Sequence, residues 1–233
     1  METGKTTKRA SRYKKAEEEN LGRMVNLSAL NDSQASYLKA LDTKDQVIVC
    51  GFSGTGKTFM ASTYAANMYA AKEVDKIIIT RPNVSVGKEL GFFPGTLEEK
   101  FAPWAAPVLE VLNKQLGKGV VETGIKNGNI ETAPLSTMRG RSFKNSFIIL
   151  DEAQNTTIPE MKMFLTRIGE GCKVVINGDI KQSDIKEQSG LSKIIHLAKA
   201  YNMDIPVIEF GVDDIVRSSI CKQWIIAFEG ENL

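Results

Sequence analysis

The chain has 233 residues, of which 42% are hydrophobic and 25% charged, with a formal net charge of +2. That composition suits one α/β domain with a sizeable core, excludes a disordered chain, and sets up no overall field demanding a nucleic-acid partner. Three scattered cysteines (Cys50, Cys172, Cys221) and one histidine, His196, give neither a CxxC pair nor a zinc-ligand spacing, which fits a reducing compartment.

Lys5, Lys8, Arg9, Arg12, Lys14 and Lys15 open the chain against a single acid, Glu2, and Glu17, Glu18 and Glu19 follow. Residues 1–24 are expected to be a flexible basic arm, either a grip on a polyanion or a solvated tail. The domain proper is expected over residues 25–233. The N-terminus lacks the apolar stretch of a signal peptide, and no apolar run reaches membrane-spanning length. A cytoplasmic protein with no membrane partner is the expectation.

Beyond the arm, short apolar runs alternate with helical stripes. Val47–Cys50, Ile77–Thr80, Phe147–Leu150, Val174–Asn177 and Val207–Phe210 read as strands buried on both faces, and Ile130–Ala133 as a weaker one. An Ala-rich helix is predicted from Phe59 to Ala71. Another carries Val108, Val111, Leu112 and Leu116 after Pro107. Met161, Phe164, Leu165 and Ile168 form a stripe bounded by Pro159 and Gly169. Leu191, Ile194, Ile195 and Ala198 form the next, with His196 on the opposite, solvent face. Val216, Ile220, Trp224 and Ala227 mark a terminal helix. Such alternation predicts a doubly wound α/β fold, whose ligands sit at the carboxyl ends of the strands.

Two strand ends carry the chemistry. Gly51-Phe52-Ser53-Gly54-Thr55-Gly56-Lys57-Thr58 matches G-x-x-x-x-G-K-[ST] in full, between a predicted strand and a predicted helix. Glycines let successive backbone N–H groups turn inward around phosphates, and the helix N-terminus adds partial positive charge. Lys57 would reach the β- and γ-phosphates of ATP, and the Thr58 hydroxyl would ligate Mg²⁺. Phe147–Leu150 ends in Asp151-Glu152. Asp151 is expected to face the phosphate loop from the neighbouring strand and hold Mg²⁺ through its water shell, and Glu152 to orient and deprotonate the attacking water. Gln182, in Gly178-Asp179-Ile180-Lys181-Gln182, is expected at the γ-phosphate or the water; an ordinary Gly-Asp turn is the alternative.

Together these residues resemble the PhoH-like family, relatives of the superfamily-one helicases. The resemblance runs from about Asn31 to Glu229. It includes Thr80-Arg81-Pro82, Leu90-Gly91-Phe92-Phe93-Pro94-Gly95, Ala133-Pro134-Leu135, Met138-Arg139-Gly140-Arg141, Asp151-Glu152-Ala153-Gln154-Asn155, Ser189-Gly190-Leu191 and Asp214-Ile215-Val216-Arg217. Phe52-Ser53 departs from the family's usual Pro-Ala. The resemblance implies a RecA-like P-loop NTPase fold, three-layer α/β/α around a mainly parallel sheet, with Mg²⁺-dependent ATPase activity. It implies that Gln34 reads adenine, since an amide pairs with both N6 and N7. It implies that Arg81 touches a nucleic-acid backbone, that Arg139 and Arg141 do the same or bind phosphate, and that Arg217 stabilises γ-phosphate charge; a surface salt bridge is the alternative for each. Phe92, Phe93, Phe101 and Trp104 read as packing or as a base-stacking platform. Helicase relatives place ATP between two cores, and this chain carries one, without length for an added nuclease or RNA-binding domain. The expectation is a homo-oligomer, a ring with six copies as the favoured number and nucleotide at subunit interfaces. Two functions stand side by side: an ATPase acting on single-stranded RNA or DNA, and a nucleotide-controlled switch or assembly protein.

Overall fold

The computed structural model describes residues 26–82, 97–185 and 187–230. The basic arm, the Leu90–Gly95 motif and the side chain of Phe101 lie outside them. The described residues form six strands and seven α-helices. In chain order the elements are α1 (Asp32–Thr43), β1 (Gln46–Gly51), α2 (Lys57–Ala70), β2 (Lys76–Arg81), α3 (Leu97–Leu116), α4 (Lys118–Lys126), β3 (Ile130–Pro134), β4 (Ser146–Leu150), α5 (Ile158–Leu165), β5 (Lys173–Gly178), α6 (Gly190–Ala200), β6 (Val207–Phe210) and α7 (Ser219–Gly230). No helix among them is long and apolar enough to cross a membrane.

All six strands are parallel, in the order β3-β2-β4-β5-β1-β6. Period-two alternation divides their side chains between two cores. Val47, Val49, Ile77, Ile79, Phe147, Ile149 and Val175 face one side, under α1, α2, α3 and α4. Ile48, Ile78, Ile148, Leu150, Val174 and Ile176 face the other, under α5 and α6. Every residue of β4 is buried, as expected of a strand covered on both faces.

Local signals set the helix starts. Asn31 caps α1 by accepting from the Gln34 amide at 2.8 Å. Thr157 and Glu160 form a reciprocal capping box on α5. Lys173 at the start of β5 donates to the Leu41 and Lys44 carbonyls, 2.6 Å each, closing the end of α1 against the sheet.

Four expectations are corrected. Pro107 does not precede its helix: α3 begins at Leu97 and contains both Pro103 and Pro107. A buried stripe of Ala105, Val108, Leu112 and Leu116 begins after Pro103 and runs past Pro107, and that burial offsets the hydrogen bonds the prolines remove. Ile168 lies beyond α5, which ends at Leu165; its residue instead bridges Phe143. The terminal stripe is not core: Val216 precedes α7, and Ile220 and Trp224 are 57% and 60% exposed. Finally, β4 does not neighbour β1, because β5 lies between them. α4 is an element the sequence reading did not single out.

Candidate nucleotide site

At the carboxyl ends of β1, β4 and β5 opens a cavity of about 630 Å³, within the range of small-ligand sites. Its walls include Gly54, Gly56, Lys57, Thr58, Asp151, Glu152, Gly178, Asp179 and Gln182. Gly51, Gly54 and Gly56 take φ of 130°, 81° and 92°, so the loop between β1 and α2 turns by conformations that favour glycine. A Cβ on Gly51 would stand 2.0 Å from the Phe210 carbonyl oxygen, so the loop passes hard against β6. Lys57 reaches back to the Gly51 and Phe52 carbonyls at 2.5 and 2.7 Å. Burial pushes its ammonium below the ordinary lysine value, and Asp179, Asp151 and Glu152 pull the other way. Phe52, at the family departure, lies under the Lys181 ammonium, 4.9 Å from the ring centre.

The Thr58 hydroxyl donates to Asp151 Oδ1 at 3.3 Å. Two hard oxygen donors, one from the loop and one from a strand two places away, thus meet at a point. Burial, then the charge of Glu152, pushes the Asp151 carboxyl above the usual carboxylate range, while Arg81 and the Thr58 hydrogen bond draw it down. A divalent cation would relieve that burial, so the donor set fits Mg²⁺.

Glu152 sits at φ 52°, ψ 39°, a left-handed conformation rare for a side-chain-bearing residue and of the kind that collects at functional sites. Its Oε2 accepts from Gln154 Nε2 at 2.6 Å, and its Oε1 lies 4.0 Å from an Arg81 guanidinium nitrogen. Gln154, 1% exposed, also accepts the Asp179 amide at 3.0 Å and donates to the Gln182 carbonyl at 3.4 Å. One amide therefore joins the end of β4 to the turn after β5. Sequence reasoning quoted Gln154 inside a motif and gave it no role; its position two residues past the acid was the available signal.

Gln34 borders the cavity, but both ends of its amide are engaged. Nε2 donates to the Thr55 carbonyl at 3.0 Å, and Oε1 accepts from the Leu30 amide at 2.9 Å. Adenine selection would require it to leave one of these partners. Arg217 packs on the loop apex: its Cγ, Cδ and Nε stand 2.7–2.8 Å from where a Gly54 Cβ would be, and the Val216 amide donates to the Gly54 carbonyl at 3.1 Å. Asp214, given no role from the sequence, ties this corner together by accepting from Ser33 Oγ at 3.0 Å and the Gly211 amide at 2.8 Å.

Two expected nucleic-acid contacts are turned inward. Arg81 points into the cavity, its guanidinium 4.6 Å from the Trp104 ring centre, which gives Trp104 a role beyond packing. Arg141 is paired through both terminal nitrogens with Glu131 and lies over Phe143, as the salt-bridge alternative held. Arg139 and His196 are exposed.

The family profile described as PhoH-like protein matches residues 26–229. Protein PhoH of Escherichia coli K12 is 42% identical over 204 residues, covering 86% of this chain and 57% of that protein. The PhoH-like protein of Mycobacterium leprae is 41% identical over 209 residues, 89% and 59% of the two chains. The PhoH-like protein of Bacillus subtilis is 41% identical over 201 residues, 85% and 63%. The chain thus spans about three-fifths of the length of these relatives. Among solved structures, Pif1 helicase from Candida albicans is a distant likeness, 16% identical with a TM-score of 0.47 over 88% of this chain and 44% of that one.

Proposed function

We propose an ATPase function for this chain, which belongs to the PhoH-like protein family. The observation that carries the reading is the meeting of the Thr58 hydroxyl with the Asp151 carboxylate at 3.3 Å, beside a complete phosphate loop and an acid held by Gln154. In the proposed reaction the loop amides of Gly54–Thr58 and the Lys57 ammonium hold the β- and γ-phosphates. Thr58 and Asp151 would hold Mg²⁺, which would supply neutralisation of phosphate charge. Glu152, oriented by Gln154, takes a proton from water as the water oxygen bonds to the γ-phosphorus. The bond to the β–γ bridging oxygen breaks, and ADP and phosphate leave. Gln182, whose turn is tied to Gln154, faces the same space and reports the third phosphate. Arg217 stabilises charge from the loop side, and Gln34 would favour ATP only by exchanging its Thr55 or Leu30 partner for adenine.

Glu152→Gln tests the assignment. ADP and ATP binding should persist, while Mg²⁺-dependent phosphate release falls by roughly 10²–10⁴. Retained release would show that the base lies elsewhere, and a wild-type chain with no Mg²⁺-dependent release would end the ATPase reading.

Hydrolysis coupled to single-stranded RNA or DNA is the finer reading, supported by the exposed Arg139 and by the family's kinship with helicases. A nucleotide-controlled switch gains from one observation: Arg81 and Arg141, two of the three arginines expected on nucleic acid, are engaged inside the chain. ATP turnover with and without single-stranded RNA and DNA separates them; stimulation that Arg139→Ala weakens favours the first, and none favours the second. A homo-oligomeric ring suits the exposed stripe of Ile220, Trp224 and Phe228 on α7. Light scattering in ATP that gives one monomer mass would reject it.

A further inference from the structure

One arginine in the cavity has no part in the reaction drawn above. Arg81 is the last residue of β2, and its side chain is only 22% exposed, so it sits within the site and not on the rim. Two contacts hold its guanidinium. The face of Trp104, from α3, lies 4.6 Å away. Glu152 Oε1 lies 4.0 Å away, near enough for ion pairing but beyond hydrogen-bond reach. An aromatic face steadies a cation without neutralising it, and the carboxylate is held more closely by Gln154 on its other oxygen, at 2.6 Å. The result is a half-buried cation, loosely paired, aimed at the space shared by Lys57, Asp151 and Glu152.

We propose that Arg81 is a catalytic residue that recognises the γ-phosphate from within the same chain, and so makes the site distinguish ATP from ADP. The inference rests on the ATPase reading of this site. A terminal phosphate offers more charge than one carboxylate and oxygen spacing that matches a planar guanidinium. The triphosphate therefore draws Arg81 from Glu152, leaving Oε1 to face the water. A diphosphate has no group there and leaves the Arg81–Glu152 pair in place. No arginine from a second copy is then needed at this position.

The sequence contains two tryptophans, Trp104 and Trp224. Trp224 is 60% exposed on α7, and Trp224→Phe, which keeps an aromatic ring in the exposed stripe, leaves Trp104 as the one tryptophan; every comparison is made against this parent. This parent, and Arg81→Gln and Arg81→Lys made in it, are titrated with ADP and with the non-hydrolysable β,γ-imido analogue of ATP in Mg²⁺. Affinity is read by calorimetry and Trp104 by its emission. In the parent, the imido analogue should change Trp104 emission and ADP should bind without doing so. Both Arg81 variants should bind ADP as the parent does, lose roughly tenfold of the triphosphate-over-diphosphate preference, and lose the emission change. A preference within about twofold of the parent's would overturn the assignment. So would loss of ADP binding in both variants, which would make Arg81 a prop for the site. A parent that binds neither nucleotide would overturn the ATPase reading and this inference together.

Discussion

Replacing Gln154 by Met keeps the length of the side chain and deletes its polar end. Gln154 is 1% exposed, so water cannot take its place. The change strands the Asp179 amide, a buried donor whose acceptor at 3.0 Å is Gln154 Oε1. An orphaned buried donor costs about 1–3 kcal/mol. For a domain of this size that is a fall in Tm of roughly 2–12 °C. Glu152 is 38% exposed at its side chain and can be rehydrated, so the lost 2.6 Å bond adds little to that figure. Its effect falls on chemistry: a base free to rotate loses part of the roughly 10²–10⁴-fold that positioned proton transfer supplies. Phosphate release at saturating Mg·ATP should fall by about 10–100-fold while ADP affinity stays unchanged. Differential scanning calorimetry, calorimetric ADP titration and a phosphate-release assay measure the three quantities. Turnover within about twofold of wild type, or ADP affinity lost in proportion to turnover, would refute the reasoning.

Gly51→Ala should destabilise the fold by roughly 3–5 kcal/mol in urea titration, because the new Cβ meets the Phe210 backbone oxygen at 2.0 Å with φ at 130°. Gly54→Ala, which meets only the Arg217 side chain, should cost about 1–2 kcal/mol. Lys57→Met should weaken ATP binding by at least about 100-fold in calorimetry. The same variant should raise Tm without nucleotide, because burial lowers the Lys57 pKa and its removal relieves a buried charge. Just below the ordinary lysine value of 10.5 the folded wild type holds fewer protons than the unfolded chain, so its stability improves with rising pH and the variant's advantage should shrink. Burial pushes the Cys50 thiol up to about 11, so its thiolate is scarce at pH 8. Iodoacetamide on the native chain should mark the half-exposed Cys221 first, with Cys50 labelling rising only as pH nears 11; peptide mass spectrometry with early Cys50 labelling would contradict its burial.

The four inner strands were legible because parallel strands buried on both faces are written as unbroken apolar runs; the edge strands β3 and β6 carry Glu131 and Glu209 and are only partly buried, so Val207–Phe210 is not the doubly covered strand expected of it. The phosphate loop was legible for a different reason: its glycines take positive φ and its lysine bonds back to Gly51 and Phe52, all within eight consecutive residues. What escaped the sequence depends on strand order and on partners far along the chain. Nothing in Phe147–Glu152 states that β5 separates it from β1. Arg81 read as a surface contact because its partners, Trp104 and Glu152, are 23 and 71 residues further on. Periodicity placed the stripe of Ile220 and Trp224 on one helix face, but it does not say whether a face is covered.

The place of β5 has a consequence for control. The strands that carry the loop and the acid pair stand two inter-strand spacings apart, about 10 Å, and their side chains close the gap over the end of β5. The carboxyl end of this middle strand carries Asp179 and, through Gln154, steers the base. Asp179 and Gln154 are thus tied to one strand end, so the orientation of the base depends on a strand that carries neither the loop nor the acid pair.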